Sequence, residues 1–103
     1  MAKRRIKFIG EGVKWFDKVN GNTYHSVVVT RCRDGARIHC PFEYGYGDQY
    51  KQTALDAMAR AKWLPVKYRG RDSVFLYERE NDYPIAWSVS HGLKRECVAH
   101  GTA

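Results

Sequence analysis

The residues able to do chemistry are few and dispersed. Cys32, His39, Cys40, Cys97 and His100 are the metal-ligand candidates, but no Cys-x-x-Cys pair occurs. His39 and Cys40 would point to opposite faces of a strand. A structural zinc needs four such ligands grouped at close spacing, so no metal site is expected. Nucleophilic catalysis needs a Cys or Ser beside a His held by an orienting acid. Cys40 and His25 could share neighbouring strands, yet no motif frames them, and a buried thiol serving as a small apolar residue is the plainer reading. Gly45-Tyr46-Gly47 is too short to cradle a phosphate. Tyr44, Tyr46 and Tyr50 crowd that segment, either as a loop bonding its own backbone or as a stacking and phosphate site. No catalytic residue and no cofactor are expected, and the chain reads as a non-enzymatic protein.

Charge and aromatic content say more. Eighteen Lys and Arg stand against eleven Asp and Glu, a formal net charge of +7, and aromatics make up 14% of the chain. A strongly basic balance favours an anionic partner. Basic residues interleave with rings at Lys14-Trp15-Phe16, Lys62-Trp63 and Lys67-Tyr68-Arg69, the composition that phosphate neutralisation plus base stacking requires. The pattern has low specificity, because basic surface residues flank buried rings in many basic proteins. The candidate binding residues are Arg4, Arg5, Arg37, Lys67, Arg69 and Arg71, with Tyr46 and Trp63 as stacking groups. The partner expected is nucleic acid or a nucleoprotein complex, the alternative being an acidic protein met by an aromatic patch or an edge strand. A small enzyme such as a nuclease is the third reading. No RNP motif, helix-turn-helix or zinc finger is readable.

The elements that must position these residues centre on Tyr44 to Pro65. Gly45 and Gly47 break the preceding structure. Asp48 is a good N-cap, Gln49 to Trp63 is free of Gly and Pro, and Pro65 gives a stop. On a helix, Tyr50, Ala54, Ala57, Met58, Ala61 and Leu64 share one face. That alanine-rich stripe suits close packing on a sheet. Trp63 falls on the polar side, either packed under the loop that follows or exposed for docking.

Val13 to Cys40 reads as a three-stranded meander with turns at Asn20-Gly21 and Asp34-Gly35. Two-residue loops there would pair Trp15 with Ser26 and Val29 with Cys40. One face then collects Phe16, Val27, Val29, Ile38, Cys40 and Phe42 as core. The other collects Trp15, Tyr24, Ser26, Val28, Arg37 and His39. Either the C-terminal strands cover that second face or it forms an aromatic and basic platform. Val74 to Tyr77 and Ile85 to Val89 read as a C-terminal hairpin turned through Glu80 to Pro84. The fold class expected is α+β: a mostly antiparallel sheet, meander plus hairpin, packed against one central helix. Residues 1–103 form one domain, with 1–7 and 92–103 flexible.

No apolar run approaches the roughly 20 residues of a membrane span, and the basic start lacks a signal-peptide core. A cytoplasmic location and no membrane partner are expected. Three Cys fit reduced thiols there. The runs KWFDKVNGNTYHSVVV (Lys14 to Val29) and FEYGYGDQY (Phe42 to Tyr50) resemble short proteins of bacteriophages and mobile elements. The resemblance covers about half of the chain and transfers no site residue. It implies an accessory factor that binds nucleic acid or disables a host defence, anti-CRISPR inhibitors included. This chain departs from the acidic DNA-mimic kind by its positive charge.

Overall fold

The computed structural model describes residues 5–65, 68 and 73–102. Its order is β1 (Phe8–Asp17), β2 (Asn22–Arg31), β3 (Arg37–Tyr44), α1 (Gln49–Arg60), α2 (Ser73–Glu80), β4 (Ile85–His91) and α3 (Lys94–His100). The strands form one sheet in the order β3-β2-β1-β4. β1, β2 and β3 are antiparallel neighbours, and β4 lies parallel to β1. The α+β class and the N-terminal meander are as expected.

Both meander turns are longer than their dipeptides imply. Asp17 pairs with Asn22 and Trp15 with Tyr24, so four residues bridge the first turn. Asp17 shapes it: its carboxylate accepts the Val19 N–H (3.0 Å) and the Asn20 amide (2.8 Å). Gly21 alone of the Asn20-Gly21 pair takes positive φ, at 70°. The second turn is also four residues, with Arg31 N–H donating to the Ala36 carbonyl at 2.8 Å. Each register is thus displaced by two, and a displacement of two preserves which side chains share a face. Val27, Val29 and Cys40 are buried on one face as anticipated. Phe42 is not there. An irregularity opposite His25/Val27 gives β3 one extra residue, and that bulge turns Phe42 to the other face, where it stacks on Tyr24. Pro41 sits in it, at a sheet edge where a missing N–H is tolerated.

α1 seals the core face through Tyr50, Ala54, Leu55, Ala57 and Met58, all buried. It ends at Arg60, three residues before the anticipated Trp63, and Ala61 is exposed. The stop is a Schellman motif: Trp63 N–H donates to Met58 O (2.9 Å) and Lys62 N–H to Ala59 O (3.1 Å). Lys62 holds the left-handed position, φ 64°. Asp48 precedes the helix without a side-chain cap bond.

The C-terminal half departs from the expected hairpin. Val74 to Tyr77 is helical, within α2. Val74, Tyr77 and Glu78 are buried while Phe75 and Leu76 are exposed, the i, i+3, i+4 pattern of a helix face, and here tertiary packing overrides the β-propensity of the segment. The Gln52 side chain accepts the Val74 N–H (3.1 Å), tying α2 to α1. The chain then turns through Asp82 and Tyr83, both at positive φ. With its hairpin partner helical, β4 pairs with β1 instead. Ile85 and Trp87 face the core, and Trp87 lies over Gly10, where a Cβ would meet the indole at 2.5 Å. Residues 94–100, anticipated as a flexible tail or a short strand, form α3. This helix, rather than C-terminal strands, covers the second face. Ser26 donates to the Cys97 carbonyl (2.6 Å), and His100 Nε2 donates to the Glu11 carbonyl (2.6 Å).

Candidate functional site

The site forms where three separate segments meet at the end of the sheet that holds the start of β1. Phe8 and Arg31 are register partners there, so their side chains lie together on the core face. The Schellman turn after α1 delivers Trp63 onto that pair. Its indole runs nearly parallel to the Phe8 ring, 12° apart with centroids at 5.9 Å, and the Arg31 guanidinium lies 4.5 Å from its centre. Tyr68 and Tyr77 continue the aromatic floor edge to face at 4.9 Å. Burial pushes the Tyr77 hydroxyl up to about 12, with Tyr68 adding to it, so Tyr77 stays neutral at ordinary pH.

These rings lie at the bottom of an open groove of about 970 Å³. Five cationic side chains line it: Arg5 and Lys7 from the segment before β1, Arg31 from the end of β2, Arg33 from the β2–β3 turn, and Lys62 from the turn after α1. No acidic side chain is among its described lining residues. Arg31 is held from behind by Asp34, at 2.7 and 3.0 Å in a two-point pairing. That hydrogen bonding, with the Ala36 N–H, holds the Asp34 carboxyl down at about 2. Arg5, Lys7, Arg33 and Lys62 have no ion-pair partner among the described residues. Arg33 acts on Asp34 without pairing with it. Positive charge in this excess can draw phosphate, and the half-buried Trp63 is the floor ring open to a planar group, since Phe8, Tyr68 and Tyr77 are buried.

Of the anticipated binding residues, the structure brings Arg5 and Trp63 together here. Arg4, Lys67, Arg69 and Arg71 lie outside the described residues. Arg37 stands at the same end of the sheet, but it pairs with Thr30 and projects from the opposite face. Tyr46 is 71% exposed in the loop before α1, at the far end of the strands. Lys7, Arg31, Arg33 and Lys62 were not among the candidates. Arg31 and Arg33 lead into the Asp34-Gly35 turn, and Lys62 adjoins Trp63, so their placement beside the turns was a usable signal.

Two other places contrast with the groove. Between β3 and α1 a depression of about 490 Å³ carries Glu43 and Asp56 with Arg60, a mixed charge that does not select anions. Beside it the fully buried His25 donates Nδ1–H to the Gly45 carbonyl (3.1 Å), and its Nε2 lies 2.9 Å from Thr53 Oγ1, which donates to Glu43 (2.8 Å). This network pins the Tyr44 to Gly47 loop. Across the sheet, Trp15, Tyr24, Phe42 and Tyr44 form a second aromatic cluster. Among the described residues, no three His, Cys, Asp or Glu side chains group as ligands, and no helix is long and apolar enough to cross a membrane. Cys32 is exposed in the groove wall, and Cys40 and Cys97 are buried. No protein-family model, curated protein or solved structure matches this chain.

Proposed function

We propose that this is a small, basic, non-enzymatic protein that binds nucleic acid, free or within a nucleoprotein complex, through the groove at the β1–α1 end. The observation that carries this reading is the charge of the described lining: five cations and no acid over a floor of four rings. The geometry adds a second support. Lys62 occupies a left-handed position that glycine would hold without strain. A lysine there costs on the order of 1 kcal/mol and places an ammonium in the groove. Such a reading suits the accessory role that the resemblance to phage proteins implies.

The test is retention of DNA or RNA by the purified protein at low salt, by mobility shift, against a variant carrying Arg33→Glu and Lys62→Glu. Both positions are exposed, so the fold should tolerate the change. Strong retention by the parent, lost in the variant, supports the reading. No retention by either, together with a protein partner captured from nuclease-treated lysate, overturns it in favour of an acidic protein ligand.

A further inference from the structure

We infer that the groove takes a single strand of nucleic acid, held by stacking and phosphate contact, and that it reads little of the base sequence. The inference rests on the nucleic-acid reading above and narrows it.

Three observations carry it. First, the aromatic floor is recessed between cations that come from separate segments. A duplex presents phosphates outward and keeps its base faces inside, so phosphate contact to a duplex needs no ring-lined floor. An unpaired base has free faces, and Trp63, backed by the buried Phe8 ring, is the half-buried floor ring on which such a base can stack. Second, the size fits. A groove of about 970 Å³ accepts a few nucleotides, near the low end of the roughly 4–16 that single-strand sites span. The lining comes from strand ends, turns and α2, and among the described residues no helix or ribbon stands out from this end as a major-groove reader would.

Third, the polar side chains of the groove floor that could read base edges are already engaged, in whole or in part. Asn81 is the one side-chain amide in the described lining, and its Nδ2 donates to the Tyr77 carbonyl (2.9 Å) and to the Tyr68 hydroxyl (3.2 Å). Of the three guanidinium forks in the described lining, the Arg31 fork beside the rings is spent on Asp34, and those of Arg5 and Arg33 are exposed. Tyr68 donates its hydroxyl to Glu80 at 2.9 Å. What stays free is the ammonium and guanidinium charge of Arg5, Lys7, Arg33 and Lys62, which suits phosphates of any sequence.

Cys32 supplies a direct readout. It is the exposed thiol of the groove wall, while Cys40 and Cys97 are buried. Short oligothymidylate, a mixed-sequence single strand and a hairpin duplex of matched length are titrated at low salt by fluorescence anisotropy, and alkylation of Cys32 by N-ethylmaleimide is timed in each complex. Both single strands are expected to bind alike, about tenfold tighter than the duplex, and to slow the alkylation. Trp63→Leu, which keeps an apolar side chain but no ring, should weaken single strands about tenfold and leave duplex binding unchanged. Lys62→Glu, on the exposed side, gives an independent reading if the first variant folds poorly. Duplex binding equal to or tighter than single-strand binding, with Cys32 protected, overturns the inference and leaves the nucleic-acid reading in place. Single-strand binding that leaves Cys32 unprotected places the strand elsewhere and overturns it too. Failure of every probe to bind removes the broader reading itself.

Discussion

The two ends of the sheet carry the same residue types with different consequences. At one end Trp63 stacks on Phe8 with Arg31 beside it. At the other, on the opposite face, Trp15 packs with Tyr24 and Phe42, and Lys94 sits 5.5 Å from its ring centre. In the second cluster the rings satisfy one another: Tyr24 and Phe42 stack at 4.9 Å, and Tyr44 meets Tyr24 edge to face. Its cation has an acid nearby, Lys94 acting on Asp17, just as Arg33 acts on Asp34 at the groove end. In the first end the cations outnumber the acids and the rings floor an open groove. Aromatic residues beside lysines do not by themselves make a site. A described lining with five cations and no acid, around an open groove, is what sets the first end apart from the packed second one.

The largest expected effect tests that distinction. Reversing Arg33 and Lys62 together should reduce low-salt affinity for nucleic acid on the order of 100-fold. It should also flatten the dependence of log affinity on log salt by about two, one for each lost phosphate contact. Reversing Lys94 should leave the slope unchanged, and an equal loss there would erase the contrast between the ends. Trp15→Ala comes next. Removing a half-buried indole from the stacked cluster should cost about 2 kcal/mol of stability, less than the 3–5 typical of fully buried rings, with affinity intact in the folded protein. Denaturant titration and anisotropy on one sample separate the two readouts.

Much of this was legible from residue types and spacing. The alternation of Val27, Val29, Ile38 and Cys40 reports the core face whatever the turn length, because a displacement of two leaves faces alone. The run Gln49 to Arg60 is helical by composition and buries alanines as its pattern says. What could not be read depends on long-range packing. Val74 to Tyr77 is strand-prone in composition, yet β1 already has β4 beside it, and the segment lies as a helix whose Val74 and Tyr77 enter the core. The bulge that turns Phe42 away follows from where β3 must bend. The groove is the least legible feature of all. Its cations are far apart in sequence, at Lys7, Arg33 and Lys62, and only the meeting of β1, the β2–β3 turn and the helix exit brings them together.

A smaller effect separates stability from binding at one residue. Lys62→Gly should relieve the left-handed strain and stabilise the fold by about 1 kcal/mol. It should also weaken nucleic-acid binding severalfold, since an ammonium leaves the groove. A thermal melt and a titration with the same variant should move in opposite directions. A lysine whose loss improves both would be a packing accident, and the charge argument at this end would weaken accordingly.

Asp34 provides the subtlest test, and the expected sign is reversed. It is the acid that occupies Arg31 at the groove end, as Asp17 is the acid near Lys94 at the other. Asp34→Asn frees a guanidinium beside Trp63 and removes a negative charge, so affinity should rise modestly while every other groove variant lowers it. The acid limb of stability should change with it. The Asp34 carboxyl is lowered from 3.8 to about 2 in the folded chain, so its pairing favours the folded state above the unfolded value, and that contribution fades as pH falls from about 4 towards 2. In the asparagine variant this part of the acid dependence disappears, which acid titration followed by circular dichroism would register as a flatter profile between those values. Tighter binding together with that flattening would mean that the groove's affinity is limited by the acid that occupies Arg31. An unchanged affinity would mean that Arg31 serves Trp63 alone, leaving Arg5, Lys7, Arg33 and Lys62 as the anion-binding charge among the described residues.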